Sequence, residues 1–187
     1  MNSLDTNMED YNTLTLDTER LRLAPISFIH CNETYLKWMN DPETIRYLET
    51  GGSYTMEELR NYIENAVNNK IYFWGIHLKS NGKHIGNIKI DPINYKHGYG
   101  EYGILMGDRD EWGKGYAKEA SSVVIEFCFN VLKLRKINLG VAADNKNAVS
   151  LYEKIGFIVE GILKEHGFYG GKLCNVLRMA IFNKGNL

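Results

Sequence analysis

Two stretches of the chain combine residue types that do chemistry with a spacing that would bring them together. The first is Ile104-Leu105-Met106-Gly107-Asp108, followed by Trp112-Gly113-Lys114-Gly115-Tyr116-Ala117. An apolar strand pattern runs into a short glycine-rich turn and then into a long amphipathic helix pattern. Glycines at a helix start let the backbone approach a ligand closely. The free N–H groups there, together with the positive end of the helix dipole, attract an anion. No Mg²⁺ ligand stands in this turn, so a pyrophosphate held by backbone amides fits it better than a reacting triphosphate. The same glycines also suit a plain strand-to-helix turn. The second stretch is Asn145-x-Asn147-Ala148-x-x-Leu151-Tyr152-Glu153-Lys154-x-Gly156-Phe157. Asn145 stands where a helix N-cap belongs, and Tyr152 lies two turns further along the same face. Taken singly, they read as a cap and as the edge of an amphipathic core.

Several familiar patterns come close and fail. Gly107 to Gly115 resembles a phosphate loop, but the spacing to Gly-Lys is one residue too long, and Gly115 stands where Ser or Thr should bind magnesium. Gly98-x-Gly100-x-x-Gly103 matches the dinucleotide fingerprint by letter, yet these glycines lead into a strand rather than linking a strand to a helix. A bulge or a close backbone approach explains them better. Histidines and cysteines are scattered without paired metal spacing, so no metal is expected. No Gly-x-Ser-x-Gly nucleophile elbow occurs.

The elements that must position the two stretches follow from the pattern. Arg20 to Ile26 alternates as a first strand. Phe28, Cys31, Tyr35, Trp38 and Met39 fall at helical spacing and stop before Asp41-Pro42. Thr55-x-x-Glu58 is a capping box that opens a second helix, with Leu59, Tyr62, Ile63, Ala66 and Val67 along its stripe. Strand patterns at 71–78 and 84–90 flank Asn81-Gly82, a strong hairpin signal. A strand at 99–106, a helix at about 115–133, a strand through Ile137, Leu139 and Val141, a short helix ending at Gly156, and strands at 157–164 and 176–182 complete the series. Hairpins first and crossovers later argue for an α/β (α+β) mixed sheet with helices on both faces.

Composition bounds the function. The chain has 187 residues, 44% hydrophobic and 24% charged, which is enough for one globular domain. Residues 1–12 read as a flexible tail before a single domain over 13–187. With a net charge of −1, no basic excess favours nucleic acid or an anionic membrane, and no apolar run is long enough to span a bilayer. The N-terminal ten residues are polar and acidic, unlike a signal peptide. Cys31, Cys128 and Cys174 are too few for a disulfide scaffold, so a reduced, cytoplasmic protein is expected.

Together, the glycine turn and the Asn…Leu-Tyr-x-Lys-x-Gly-Phe helix resemble the GNAT family of acetyl-CoA-dependent N-acetyltransferases. The family turn pattern, Gln/Arg-x-x-Gly-x-Gly/Ala, falls on residues 112–117, with Trp112 departing from Gln/Arg. Trp-Gly-x-Gly-Tyr-Ala, Thr18-Glu19-Arg20-Leu21-Arg22-Leu23, Trp38-Met39-Asn40-Asp41-Pro42 and Val159-Glu160-Gly161 are similar to the ribosomal-protein (RimJ/RimL-type) branch. The resemblance implies a mostly antiparallel sheet of about six or seven strands with one splayed parallel pair, flanked by about four helices. It implies that pantetheine lies along Ile104, Leu105 and Met106. The pyrophosphate would sit on Trp112, Gly113, Lys114, Gly115, Tyr116 and Ala117, with Asn145 and Asn147 contacting the cofactor arm. By the same resemblance Tyr152 is the acid for the leaving thiolate, a strand N–H near Met106 stabilises the oxyanion, and Glu101 is the base for the amine; Asp91, Glu160 and His166 are weaker base candidates. Direct attack on the thioester makes cysteine nucleophiles unnecessary. The acceptor amine would be a protein N-terminus or a small amine such as an amino sugar or polyamine. Glu57, Glu58 and Glu64 could attract a polyamine, and Tyr35, Trp38, Tyr47 and Trp74 either wall the acceptor or pack the core. The chain is compatible with a homodimer. The competing reading is a non-catalytic acetyl-CoA-binding or interaction protein with the same fold.

Overall fold

A computed structural model describes residues 14–185, and the expected tail over 1–12 lies outside the described residues. Among the described residues, eight strands form one sheet in the order β1-β2-β3-β4-β5-β6-β8-β7. They are β1 (Leu16–Asp17), β2 (Leu21–Pro25), β3 (Tyr72–Leu78), β4 (His84–Asn94), β5 (Tyr99–Met106), β6 (Lys136–Ala142), β7 (Ile158–Tyr169) and β8 (Lys172–Phe182). Four α-helices accompany them: α1 (Glu33–Asn40), α2 (Met56–Asn68), α3 (Tyr116–Asn130) and α4 (Lys146–Ile155). All strand pairs are antiparallel except β5 with β6. The mixed sheet with one parallel pair is therefore as expected, with the two-residue β1 added at an edge. No helix among the described residues is long and apolar enough to cross a membrane.

Local chemistry sets the boundaries. Thr55 and Glu58 exchange the reciprocal bonds of the capping box at the start of α2. Asn81 Oδ1 accepts from Lys83 N–H and Gly82 takes a left-handed φ of 72°, closing the β3–β4 hairpin. Gly156 ends α4 at a φ of 112°. The helical spacing from Phe28 to Met39 is not one helix. A 3-10 turn, Phe28–His30, precedes α1, and Asn32 restarts the chain as an N-cap whose Oδ1 accepts from Tyr35 N–H.

Two cores lie on opposite faces of the sheet. One gathers Trp74, Ile88, Tyr102, Leu139 and Met179 with Val124 and Cys128 of α3 and Tyr152 of α4. The other packs α1 and α2 on the opposite face through Tyr35, Trp38, Leu59, Ile63 and Phe73. Tyr35, Trp38 and Trp74 are thus core residues, while Tyr47 lies apart against Tyr169. The edge strand β7 exposes Ile158, Val159, Ile162 and Leu163.

Candidate active site

The parallel pair is short. β5 and β6 are in register only at Tyr99, Gly100 and Glu101 against Lys136, Ile137 and Asn138. Beyond that point, 102–106 stay paired with β4 and 139–142 with β8, so the two strands part and leave a slot. Gly107 N–H donates to Ile85 O of β4. Backbone polar groups alternate along a strand, so Met106 and Ile104 turn theirs away from β4, into the slot, while Leu105 faces α1 and α2. Trp112 Nε1–H donates to Met106 O at 2.8 Å. The indole at the position that departs from Gln/Arg thereby fastens the turn to the slot strand and leaves the Met106 N–H as its remaining backbone donor.

The turn ends at α3. Gly113 and Gly115 take φ of 75° and 84°, and Gly115 caps α3 without any side-chain bond to its free N–H groups. The helix start is held from behind. Glu119 accepts from Thr18 Oγ1 at 2.5 Å, Arg20 N–H at 2.9 Å and Arg20 Nε at 2.7 Å, and Arg20 donates onward to Lys114 O. The Arg20 guanidinium also lies 4.5 Å over the Tyr116 ring. Burial works to raise the Glu119 carboxyl, but the bonds from Thr18 and Arg20 outweigh it and hold the group below the usual carboxylate range. The Thr18–Arg20 motif therefore acts on the turn from a hundred residues away. Glu119→Gln is expected to raise KM for acetyl-CoA by about tenfold with kcat little changed, because it loosens ground-state binding; steady-state kinetics checks this.

α4 brings the second stretch to the slot. Asn145 Oδ1 caps the helix by accepting from Ala148 N–H at 3.2 Å, and among the described residues its amide N–H₂ has no partner. Asn147 is exposed on the first turn. Tyr152 is buried against Tyr102 and Phe157, with ring centroids 5.8 Å from each, and burial pushes its phenol up to about 12. Its hydroxyl makes no hydrogen bond among the described residues. Tyr102 OH meets Ser121 Oγ at 2.6 Å, which fixes the slot strand against α3.

Glu101 lies on the opposite face, where the strands part. Arg178 grips it with two bonds, Nη1 to Oε1 at 2.6 Å and Nη2 to Oε2 at 2.8 Å. Each carboxylate oxygen keeps a second lone pair. Beside it, an open cavity of about 520 Å³ is lined by Pro92, Tyr99, Glu101, Arg135, Lys136, Asn138 and Arg178. Asn138 Oδ1 is buried there without a partner among the described residues. Arg178 and Asn138 carried no local motif; only strand register brings them to Glu101. Glu160 is paired with Lys136. Cys128 is buried with its thiol pushed up to about 12, which suits a core residue rather than a nucleophile.

The fold, an eight-stranded sheet that opens beside an uncapped helix start, is shared with a crystallised acetyltransferase of the GNAT family from Bacillus anthracis at a TM-score of 0.79 and 23% identity, over 90% and 98% of the two chains. Residues 20–158 match the acetyltransferase (GNAT) domain model. The chain belongs to the GNAT acetyltransferase family. It is 39% identical over 97 residues to the spermidine N(1)-acetyltransferase of Vibrio cholerae, a match covering 52% of this chain and 56% of that protein. It is 26% identical to the N-acetyltransferase p20 of Bacillus licheniformis over 91% of this chain and 97% of that one. The crystal structure of spermidine N-acetyltransferase from Vibrio cholerae in complex with CoA and spermine aligns with a TM-score of 0.81 and 27% identity, over 88% and 96% of the two chains. The chain thus spans little more than half the length of the spermidine acetyltransferases in the curated matches.

Proposed function

We propose that the protein transfers the acetyl group of acetyl-CoA to the primary amine of a small polyamine of the spermidine type. The slot between β5 and β6 carries this reading: it offers strand amides at one end and an uncapped helix start at the other, as an extended amide-bearing diphosphate requires. Ile104 and Met106 offer backbone groups along the arm's path, with Leu105 between them turned toward α1 and α2, residues 112–117 hold the diphosphate, and the free amide of Asn145, with Asn147 beside it, meets the arm. Acetyl-CoA supplies the activated acyl group. Tyr152 supplies a proton to the leaving sulfur, and the Met106 N–H faces the developing oxyanion. Glu101, steadied by Arg178, takes the amine proton through its remaining lone pairs. The names of the similar proteins support a polyamine over a ribosomal-protein N-terminus.

A second acceptor class has its own support. Arg135 and Lys136 stand in the cavity beside Glu101, which suits an amine that also carries a carboxylate. We further read residues 13–187 as one N-acetyltransferase domain working in the cytoplasm, consistent with its three free thiols, and as a homodimer through the exposed apolar strand β7. Thiol release from acetyl-CoA is the test, with spermidine, spermine, amino acids, amino sugars and an N-terminal peptide offered in turn. Turnover with polyamines is the expected result. Turnover with amino acids alone would move the assignment to the second class. Coenzyme binding without thiol release for any amine would make the chain a binding protein.

A further inference from the structure

Three histidines far apart in the sequence meet on the face of the sheet that carries α1. His30 closes the 3-10 turn before α1, His77 lies on β3, and His84 lies on β4 directly opposite His77. One ligand nitrogen from each lies within 4.8 Å of the other two. Ring centroids are 5.3, 5.0 and 4.9 Å apart. Imidazole nitrogens on a common tetrahedral ion, with metal–nitrogen bonds of about 2.0–2.1 Å, lie about 3.3 Å apart, so side-chain rotations that bring the donors together by up to about 1.5 Å close the set.

His30 and His84 each spend one nitrogen on the protein and leave the other without a partner among the described residues. His77 Nδ1 is 3.1 Å from Gly75 O, and His84 Nε2 is 3.0 Å from Asn87 Oδ1. His30 Nδ1 sits 3.2 Å from Ser27 O and 3.1 Å from Ser27 N–H. With the proton on Nδ1, that ring donates to the carbonyl and its Nε2 carries a lone pair. With the proton on Nε2, Nδ1 instead accepts the Ser27 N–H of the capping box at 3.1 Å, and the buried Nε2–H has no acceptor among the described residues, so an ion that displaces this proton takes the lone pair beneath it. His30 Nε2 and His84 Nδ1 are both buried and unpartnered among the described residues, and the His30 residue is only 1% exposed. Orientation of one ring nitrogen by a carbonyl or amide is the support that metal-binding histidines carry. Gly75 lets the rings converge, since a Cβ there would lie 2.5 Å from His30 Nε2.

We propose that His30, His77 and His84 bind one divalent transition-metal ion of the zinc type, tying the entry of α1 to the β3–β4 hairpin. Three imidazoles without a carboxylate select zinc, copper or nickel over magnesium or calcium. Three protein ligands leave a fourth position for water or another ligand. The site is independent of the acetyl-transfer reading.

The test uses the full, untagged chain, stripped with chelator and dialysed. Zn²⁺ titration by calorimetry is expected to show one ion per chain, Co²⁺ to give a visible absorption band, and Zn²⁺ at a hundred times its Kd to raise Tm by about 5–10 °C. His77→Gln, at a half-exposed position, is expected to weaken binding at least tenfold while keeping the fold by circular dichroism. Asn87→Ala is expected to weaken it by about 10–100-fold. His97→Ala, outside the cluster, should change nothing. Absence of saturable one-to-one uptake, or uptake unaltered in His77→Gln, would overturn the proposal and leave the three rings as packing.

Discussion

Tyr152→Phe is expected to lower kcat by one to three decades, overlapping the lower part of the span of about 10²–10⁴ that a positioned proton donor contributes. The change removes one oxygen whose hydroxyl makes no hydrogen bond among the described residues, so the ring should keep its place against Tyr102 and Phe157. KM for acetyl-CoA and Tm should therefore move little, and a fall confined to kcat separates chemistry from packing. The pH dependence supplies a second check. Burial disfavours the phenolate and holds the group near about 12, so the proton stays in place throughout the alkaline range in which the assay is practicable. Activity should show no loss traceable to this residue between pH 8 and about pH 10, the ordinary tyrosine value. A loss near pH 10 that disappears in Tyr152→Phe would contradict the burial. An unchanged kcat would remove Tyr152 from proton transfer altogether.

Gly107→Ala is expected to cost about 1–3 kcal/mol of stability or more, seen as a Tm lower by about 2–12 °C. An added Cβ would lie 2.0 Å from Trp38 Cδ2 and 2.2 Å from its Cε3. The indole has no room to retreat, since it is wedged between Tyr35 and His84 at centroid distances of 5.8 and 4.8 Å. The end of β5 must move instead, and with it the Gly107 N–H bond to Ile85 O and the start of the turn. Affinity for acetyl-CoA should fall together with stability. Trp38→Leu in the same chain should recover part of the loss, so a double-mutant cycle measured by denaturant unfolding should be strongly non-additive.

Features written in neighbouring residues were legible in the sequence. The Thr55–Glu58 box, the Asn81-Gly82 hairpin, the Gly156 cap and the glycine turn each act within a few residues, and each stands where its chemistry places it. The break at Asn32 was hidden because the apolar spacing runs straight across it, although Phe28, counted in that stripe, is half exposed. Contacts made by register were not legible. Glu101 meets Arg178 from 77 residues away, and Glu119 meets Thr18 from 101. The histidine cluster illustrates the same limit. His77 and His84 face each other because the hairpin fixes their pairing, but nothing near His30 announces that its turn folds over them.

The parting of β5 from β6 also bears on mechanics. Three matched positions join one leaf of the sheet, β1 to β5, to the other, β6 with β8 and β7. An occupant bonded to both exposed margins would behave as a ninth lamina and stiffen the junction. Amide deuteration at 102–106 and 139–142 should then slow together when coenzyme A is added, while the interior of β3 stays as it was. The protein would be a hinged pair of leaves that the coenzyme clasps shut.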